Sequence, residues 1–192
     1  MEKFLIIVTS FILIISGFMY YESSNNEVHY VKSEYDNNTY LVRKMPDDKK
    51  AANLLGKIRI KLDKICDYCL KKYPKKESIK RMHRKFNPNN ISETGKNSKY
   101  TSYSVNKGEK LVLCLRSRDG RDALIDENTL TFVSIHELAH IMTKSVGHTP
   151  EFWKNFKFLL EIAIKLGLYT REDYSVNPKP YCGITVTDSP LD

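Results

Sequence analysis

The residue types that could perform chemistry are concentrated in one stretch, His136-Glu137-Leu138-Ala139-His140. On a helix, residues four apart lie on the same face, so the imidazoles of His136 and His140 can bind one metal ion. Zinc lowers the pKa of a water that it binds to near neutrality, and the adjacent Glu137 carboxylate can take the proton. The pattern therefore predicts zinc-dependent hydrolysis of peptide bonds, with Glu137 as the general base.

Hydrolytic zinc needs a third protein ligand, with one coordination position left open. His148 is the main candidate, because Gly147 before it can adopt a left-handed conformation that turns the chain back toward the metal. The alternative for His148 is an exposed loop histidine. Glu151 and Glu161 are weaker alternatives as ligands, because some HExxH enzymes take a Glu from the next helix. Two further histidines are predicted to lie on the surface: His29 and His83.

Two helices are predicted around these residues. Asp126 or Asn128 can cap a helix that carries the HExxH motif and runs to about Ser145. Pro150 suits the first turn of the following helix, which ends near Gly167. The turn between these helices would carry the third histidine.

The upstream elements follow from hydrophobic periodicity. Apolar residues at three- and four-residue steps predict an amphipathic helix from residue 46 to about 74, and a short helix follows over 78–86. Thr101–Val105 and Lys110–Arg116 alternate on either side of a Gly-containing turn, which predicts a β-hairpin. The sequence thus predicts an α+β fold: an amphipathic helix, a β-hairpin or small sheet, the HExxH helix and a following packing helix.

The N-terminal segment at residues 4–21 is uncharged and dominated by Phe, Ile, Leu and Val. As a helix it would be about 27 Å long, close to the thickness of a hydrocarbon core. We therefore expect a single-pass transmembrane anchor in a host or virion membrane. A cleaved signal peptide is the alternative, because Ser16 and Gly17 are small residues near a possible cleavage site.

The HExxH motif is followed by Gly147-His148-Thr149-Pro150-Glu151-Phe152-Trp153. With this segment the sequence resembles the WLM/SprT-like zinc metallopeptidases, and its organisation resembles the small membrane-anchored members encoded by large DNA viruses. The closely matching part runs from about residue 129 to 168. A role in DNA repair is not carried over, because the extensions of the family members with that role are missing here.

This resemblance implies a zincin-like fold and one Zn²⁺ per chain, held by His136, His140 and His148. It implies that Glu137 is the general base and that Phe152 and Trp153 pack beneath the site. It also implies that an extended protein or peptide substrate lies along an edge strand, which we expect to be Lys110–Arg116. Three tyrosines are candidates to stabilise the oxyanion: Tyr103, Tyr169 and Tyr181.

The predicted organisation has four parts. Residues 1–21 form the transmembrane anchor and residues 22–45 a polar linker that contains one short strand, Thr39–Arg43. Residues 46–170 form the zincin-like domain. Residues 171–192 form a tail with one strand from Tyr181 to Val186.

The composition leaves other partners and functions open. The formal net charge is +8, and many of the basic residues fall between residues 71 and 85. A solvated helix face is the simplest interpretation of that stretch, and nucleic acid is a possible partner that no motif supports. The alternative function is a non-catalytic membrane or virion protein that uses zinc as a structural staple. Four cysteines have no predicted redox state: Cys66, Cys69, Cys114 and Cys182.

Overall fold

The computed structural model describes residues 2–25 and 27–192. In this part of the chain the helices are α1 (Glu2–Asn25), α2 (Asp48–Lys72), α3 (Glu77–Lys85), α4 (Glu127–Met142) and α5 (Pro150–Lys165). The strands are β1 (Val28–Lys32), β2 (Thr39–Arg43), β3 (Ile91–Glu93), β4 (Tyr103–Val105), β5 (Lys110–Leu113), β6 (Lys179–Tyr181) and β7 (Ile184–Val186). The predicted mixed α+β fold is confirmed, as are the helices predicted between residues 46 and 167 to within a few residues.

The prediction of a membrane anchor is wrong. Residues 4–21 do lie within α1, but no helix in the described residues is long and apolar enough to cross a membrane. The prediction rested on the length of one uncharged run. The predicted membrane localisation is overturned with it.

Five strands form one mixed sheet in the order β1-β2-β3-β5-β4. The outer pairs β1–β2 and β5–β4 are antiparallel, whereas β2–β3 and β3–β5 are parallel. The predicted hairpin of β4 and β5 is confirmed. However, β5 is interior and β4 is the edge strand, so the expectation that Lys110–Arg116 forms the edge is wrong. A hairpin shows which strands pair, but it does not show which of them gains a second neighbour.

The segment predicted to be a polar linker contains the β1–β2 hairpin. Val28 pairs with Arg43 and Lys32 pairs with Thr39, so both strands belong to the main sheet. The predicted strand at Thr39–Arg43 is present, and β1 is an additional one. In the tail, the single strand predicted from Tyr181 to Val186 is a two-stranded hairpin of β6 and β7.

Helix α2 packs against β1, β2 and β3 on one side and contacts α4 on another. Its apolar stripe is buried except for the half-buried Leu54, as the three- and four-residue spacing predicts. Gly56 in this helix lies against the turn after β1: a Cβ there would be 2.8 Å from both Asp36 Oδ1 and Ser33 Oγ. The close approach of helix and turn therefore requires glycine at this position.

A network of buried ion pairs joins β2, β3 and the segment after β5. Arg116 is 2% exposed, and its Nε donates to Glu93 Oε1 at 2.9 Å while Nη1 donates to Asp47 Oδ2 at 2.9 Å. The backbone N–H of Arg43 donates to Glu93 Oε2 at 2.8 Å, and its Nη1 donates to Asp122 at 2.8 Å. The Glu93 carboxylate is therefore buried together with its partners.

The four cysteines fall into two groups. Cys114, just after β5, forms a disulfide with Cys182 in the turn between β6 and β7. This bond attaches the C-terminal hairpin to the main sheet. Cys66 and Cys69 on α2 are free and buried, and burial raises the pKa of the Cys69 thiol to about 11. Such thiols behave as small apolar side chains in a core.

Candidate metal centre and adjoining clefts

Helix α4 carries the HExxH motif, and its start is capped as the sequence predicts. Asp126 is the N-cap, and its carboxylate accepts a hydrogen bond from the Thr129 N–H at 2.9 Å. Leu138 and Ile141 are fully buried, so this side of the helix is fixed in the core. The motif side chains are thereby held on a helix that cannot rotate without exposing apolar surface.

Two basic side chains donate hydrogen bonds to the backbone carbonyls at the carboxyl end of α4 and just after it. Arg81 of α3 donates from Nη1 to the carbonyl of Met142 at 2.8 Å. Lys107, in the turn between β4 and β5, donates from Nζ to three successive carbonyls at 2.7–2.9 Å. The acceptors are Thr143, Lys144 and Ser145. Cations are favourable at this end of a helix, because its free carbonyls carry partial negative charge.

The loop after α4 returns His148 to the motif. Gly147 has a φ of 82°, the left-handed conformation expected from the sequence. Thr149 caps α5 by accepting a hydrogen bond from the Phe152 N–H, with Pro150 in the first turn. Glu151 accepts hydrogen bonds from the backbone and hydroxyl of Ser145. Hydrogen bonds therefore hold the loop in place both before and after His148.

The three predicted histidines converge. Nε2 of His136 lies 3.2 Å from Nε2 of His140 and 3.1 Å from Nε2 of His148. One nitrogen from each ring lies within 4.8 Å of the others, and this cluster could hold a metal ion. Zinc bound to imidazole nitrogen at about 2.0–2.1 Å in a tetrahedron requires ligand atoms about 3.3 Å apart. The two separations that involve His136 are close to that requirement.

The environment favours the neutral form of two of these imidazoles. Burial, with smaller contributions from the neighbouring rings, lowers the pKa of His136 to about 3. Burial together with His148 and Lys107 lowers the pKa of His140 to about 4. Neutral imidazole is the form that binds a metal.

Glu137 is 6% exposed and lies beside this cluster. Burial raises the pKa of its carboxyl to about 7, and a hydrogen bond from the backbone N–H of Ser104 works in the opposite direction. Ser104 is in the centre of β4, so the free edge of the sheet faces the carboxyl group. Ser104 could not be recognised from the sequence, because a hydrogen bond from a backbone N–H does not depend on the type of residue that donates it.

Aromatic rings support the histidines from below. The Phe152 ring stacks on His140 with centroids 4.3 Å apart and contacts His136 at 4.8 Å. Trp153 lies 5.7 Å from His148. Phe152 is fully buried and Trp153 is 39% exposed, so the first forms the floor of the site and the second forms part of its wall.

Two clefts meet at Glu137. The first, which we call the strand cleft, has a volume of about 420 Å³ and runs between β4 and the loop after α4, past His140. The second, which we call the hairpin cleft, has a volume of about 260 Å³ and lies between α4, α5 and the β6–β7 hairpin. Its apolar lining residues are Phe132, Val133, Trp153, Phe156, Ile184 and Val186.

The remaining candidates from the sequence lie elsewhere. Glu151 binds the loop at Ser145, and the metal-compatible cluster in the described residues comprises the three histidines without Glu151 or Glu161. His29 pairs with Asp48 and His83 lies near Asp67, both outside the site. Of the three candidate tyrosines, Tyr103 lines the strand cleft, Tyr181 lines the hairpin cleft, and Tyr169 donates to Tyr174 in the core.

Comparison with known proteins identifies viral relatives. An uncharacterized protein of Acanthamoeba polyphaga mimivirus is 33% identical over 197 residues, which cover 100% of this chain and 100% of the relative. The chain belongs to the family of this mimivirus protein. Shorter matches are to uncharacterized proteins of Invertebrate iridescent virus 6 (40% identical over 82 residues) and Invertebrate iridescent virus 3 (39% over 84 residues). These matches span 42% and 43% of this chain, and 44% and 50% of the relatives. The expectation of a viral protein is supported.

Among solved structures, Wss1 from Saccharomyces cerevisiae is similar, with 21% identity and a TM-score of 0.49 over 66% of this chain and 90% of that one. Wss1 from S. pombe gives 22% identity and a TM-score of 0.43, covering 64% and 92%. At these values the likeness carries no argument about activity. No family model matches the chain.

Proposed function

We propose that this protein is a zinc metallopeptidase in which His136, His140 and His148 hold the metal and Glu137 is the general base. The observation that carries the proposal is the convergence of three imidazole nitrogens, 3.1–3.2 Å from one another in two of the pairs, beside a buried carboxyl group. Three imidazole nitrogens are a typical ligand set for catalytic zinc.

Zinc in this position would polarise the peptide carbonyl and lower the pKa of water. Glu137 takes a proton from the attacking water and delivers it to the leaving nitrogen, so that peptide and water give a carboxylic acid and an amine. Burial supports this role, because a carboxyl whose pKa is about 7 can both accept and release a proton near neutral pH.

The substrate would bind as an extended segment beside β4. This strand has one neighbour in the sheet, β5, and its Ser104 N–H points toward Glu137. A free strand edge binds extended peptides through main-chain hydrogen bonds. Binding along β4 would pass the peptide between the strand cleft and the hairpin cleft, with the scissile bond at Glu137.

The test is to measure metal content and proteolysis together on the full chain. Wild type should contain about one zinc per chain by elemental analysis and should cleave an unfolded protein substrate such as denatured casein. His148→Ala should lose both. His83→Ala is the matched control, because His83 is a surface histidine outside the site, and it should retain both. A well-folded wild type that binds no zinc would overturn the proposal.

A structural zinc in a non-catalytic protein is the competing function. Glu137→Gln separates the two, because it removes the proton acceptor and leaves the imidazoles in place. We expect this variant to bind zinc and to lose turnover. If wild type binds zinc but cleaves no peptide bond, the structural role replaces the catalytic one.

A further inference from the structure

The hairpin cleft contains apolar side chains that the fold leaves uncovered. Ile184 on β7 is 53% exposed, Trp153 on α5 is 39% exposed, and Val133 on α4 is half-buried. All three line the same cleft as His136 and Glu137. Apolar surface of this kind, gathered in a concave site, is typical of a surface that receives an apolar ligand group.

The β6–β7 hairpin, which carries Ile184, is held to the rest of the fold by hydrogen bonds and by a disulfide. Tyr181 at the end of β6 is 1% exposed, and its hydroxyl donates to the carbonyl of Cys114 at 3.0 Å. The same hydroxyl lies 2.5 Å from Ser102 Oγ, next to the edge strand β4. The disulfide from Cys114 to Cys182 adds a covalent link at the turn. The position of β7 is therefore set relative to the strand beside which the substrate would bind.

The size and charge of the cleft limit what it can hold. Its volume of about 260 Å³ is below the range of roughly 300–1,000 Å³ that is usual for whole small-molecule ligands, so it suits one side chain. Apart from the site residues His136, Glu137 and His148, the only charged residue among its lining residues is Asp188, near the end of the described chain. A single negative charge beside apolar walls disfavours an acidic side chain.

We infer that the β6–β7 hairpin is the specificity-determining wall of the peptidase, and that it selects substrates with an apolar side chain next to the scissile bond. This inference rests on the proposed function. It gives the C-terminal tail, residues 171–192, a role in substrate selection.

The experiment maps cleavage sites and then compares two peptides. Wild-type full chain is incubated with a mixture of unfolded proteins, and mass spectrometry identifies the residues on each side of every cut. We expect one flanking position to be enriched in apolar residues. A peptide with Leu at that position should be cleaved with a kcat/KM roughly ten- to a hundredfold higher than a matched peptide with Glu.

Ile184→Asp should remove most of that preference, and Ile184→Lys should shift it toward the Glu peptide. Val176→Asp is the matched control, because Val176 is another exposed apolar residue of the tail, outside the cleft lining, and it should leave the ratio unchanged. Ile184→Thr keeps a β-branched residue in the strand, so it tests the same contact if the charged variants do not fold.

The outcomes separate the two proposals. If wild type binds zinc but cleaves nothing, the proposed function fails and takes the inference with it. If wild type cleaves proteins without an apolar preference, or if all folded variants at position 184 keep the wild-type ratio, the inference is wrong and the peptidase proposal stands. Zinc content measured on each variant shows that the site itself is intact.

Discussion

Glu93 and Glu137 are both buried carboxyl groups, with 3% and 6% exposure, but their surroundings differ. Glu93 accepts hydrogen bonds from the Arg116 guanidinium and from the backbone N–H of Arg43. Within the described residues, Glu137 has no Lys or Arg in an ion pair with it, and its carboxyl accepts a hydrogen bond from the Ser104 N–H. Burial raises the pKa of both carboxyls, and in Glu93 two arginines oppose that shift.

This difference separates a structural charge from a reactive one. A buried carboxylate with a guanidinium partner is satisfied and has little tendency to exchange protons. A buried carboxyl without a cation is destabilised in its charged form, which makes it a better proton acceptor near neutral pH. The central strand β3 and the helix α4 thus use the same residue type for different purposes, and the partners of each carboxyl decide which.

The largest expected effect is on turnover. Glu137→Gln should lower kcat by about 10²–10⁴, because a positioned general base contributes that much to proton transfer. Zinc content should stay the same, and the free energy of unfolding should not fall, because the buried carboxyl has no cation partner to lose. The measurements are steady-state kinetics, elemental analysis and urea unfolding.

Glu127→Gln serves as the control for this substitution. Glu127 is on the same helix, but it pairs with Lys57 and Lys61 on its surface. It should retain wild-type turnover. If Glu127→Gln and Glu137→Gln lost turnover equally, the loss would reflect a general sensitivity of α4 to this substitution. It would then not identify Glu137 as the general base.

The second effect concerns the partnered carboxylate. Arg116→Met leaves Glu93 buried without its main partner and should lower the free energy of unfolding by about 3–5 kcal/mol. Adding Glu93→Gln should recover part of that loss, because the uncompensated charge is removed. Arg118→Met is the control: Arg118 is exposed, and its loss should cost less than about 1 kcal/mol. If Arg116→Met also lowered the free energy of unfolding by less than about 1 kcal/mol, the contrast between Glu93 and Glu137 would be wrong.

The third effect concerns the disulfide between Cys114 and Cys182, which attaches the β6–β7 hairpin beside Glu137 to the main sheet. Replacing both Cys114 and Cys182 by Ser should lower the free energy of unfolding by about 2–4 kcal/mol. The measurement is thermal unfolding with and without a reducing agent. Reductant should destabilise wild type and leave the double variant unchanged. No response of wild type to reductant would mean that the bond contributes nothing to stability.

The smallest effect is at the cap of α4, which holds Glu137 in place. Asp126→Ala should lower the free energy of unfolding by about 1 kcal/mol, because the Thr129 N–H loses its acceptor. Asp126→Asn keeps an acceptor oxygen and should retain most of the stability. Urea unfolding of the two variants checks the difference, and equal losses would assign the effect to charge instead of the hydrogen bond.

The local parts of this architecture follow from the sequence, because they depend on neighbours in the chain. Four features are short-range signals of this kind: the apolar stripe of α2, the cap at Asp126, Pro150 in the first turn of α5 and the turn at Gly147. The spacing of His136 and His140 is likewise a property of one helix. These local features are enough to predict which elements carry the site residues, without knowledge of any tertiary contact.

The parts that sequence reasoning missed depend on contacts between distant segments. The order of the sheet makes β4 the edge, and no pattern within the hairpin decides between it and β5. Signals for the β1–β2 hairpin were available in the β-branched and aromatic residues of Val28–Lys32 and in the Asp36-Asn37-Asn38 turn. Cys182-Gly183 was a signal for the β6–β7 turn. The pairing of Cys114 with Cys182 had no sequence signal, because spacing does not show which of four cysteines bond and which stay free.

The disulfide also has a topological consequence, because the segment between Cys114 and Cys182 contains the three proposed metal ligands and Glu137. A chain that is cut anywhere within this segment, by itself or by another protease, remains a single covalent molecule. Its pieces should migrate as one band on a non-reducing gel and separate only after reduction. Such a nick would therefore escape detection by intact size alone, and preparations should be compared under both conditions.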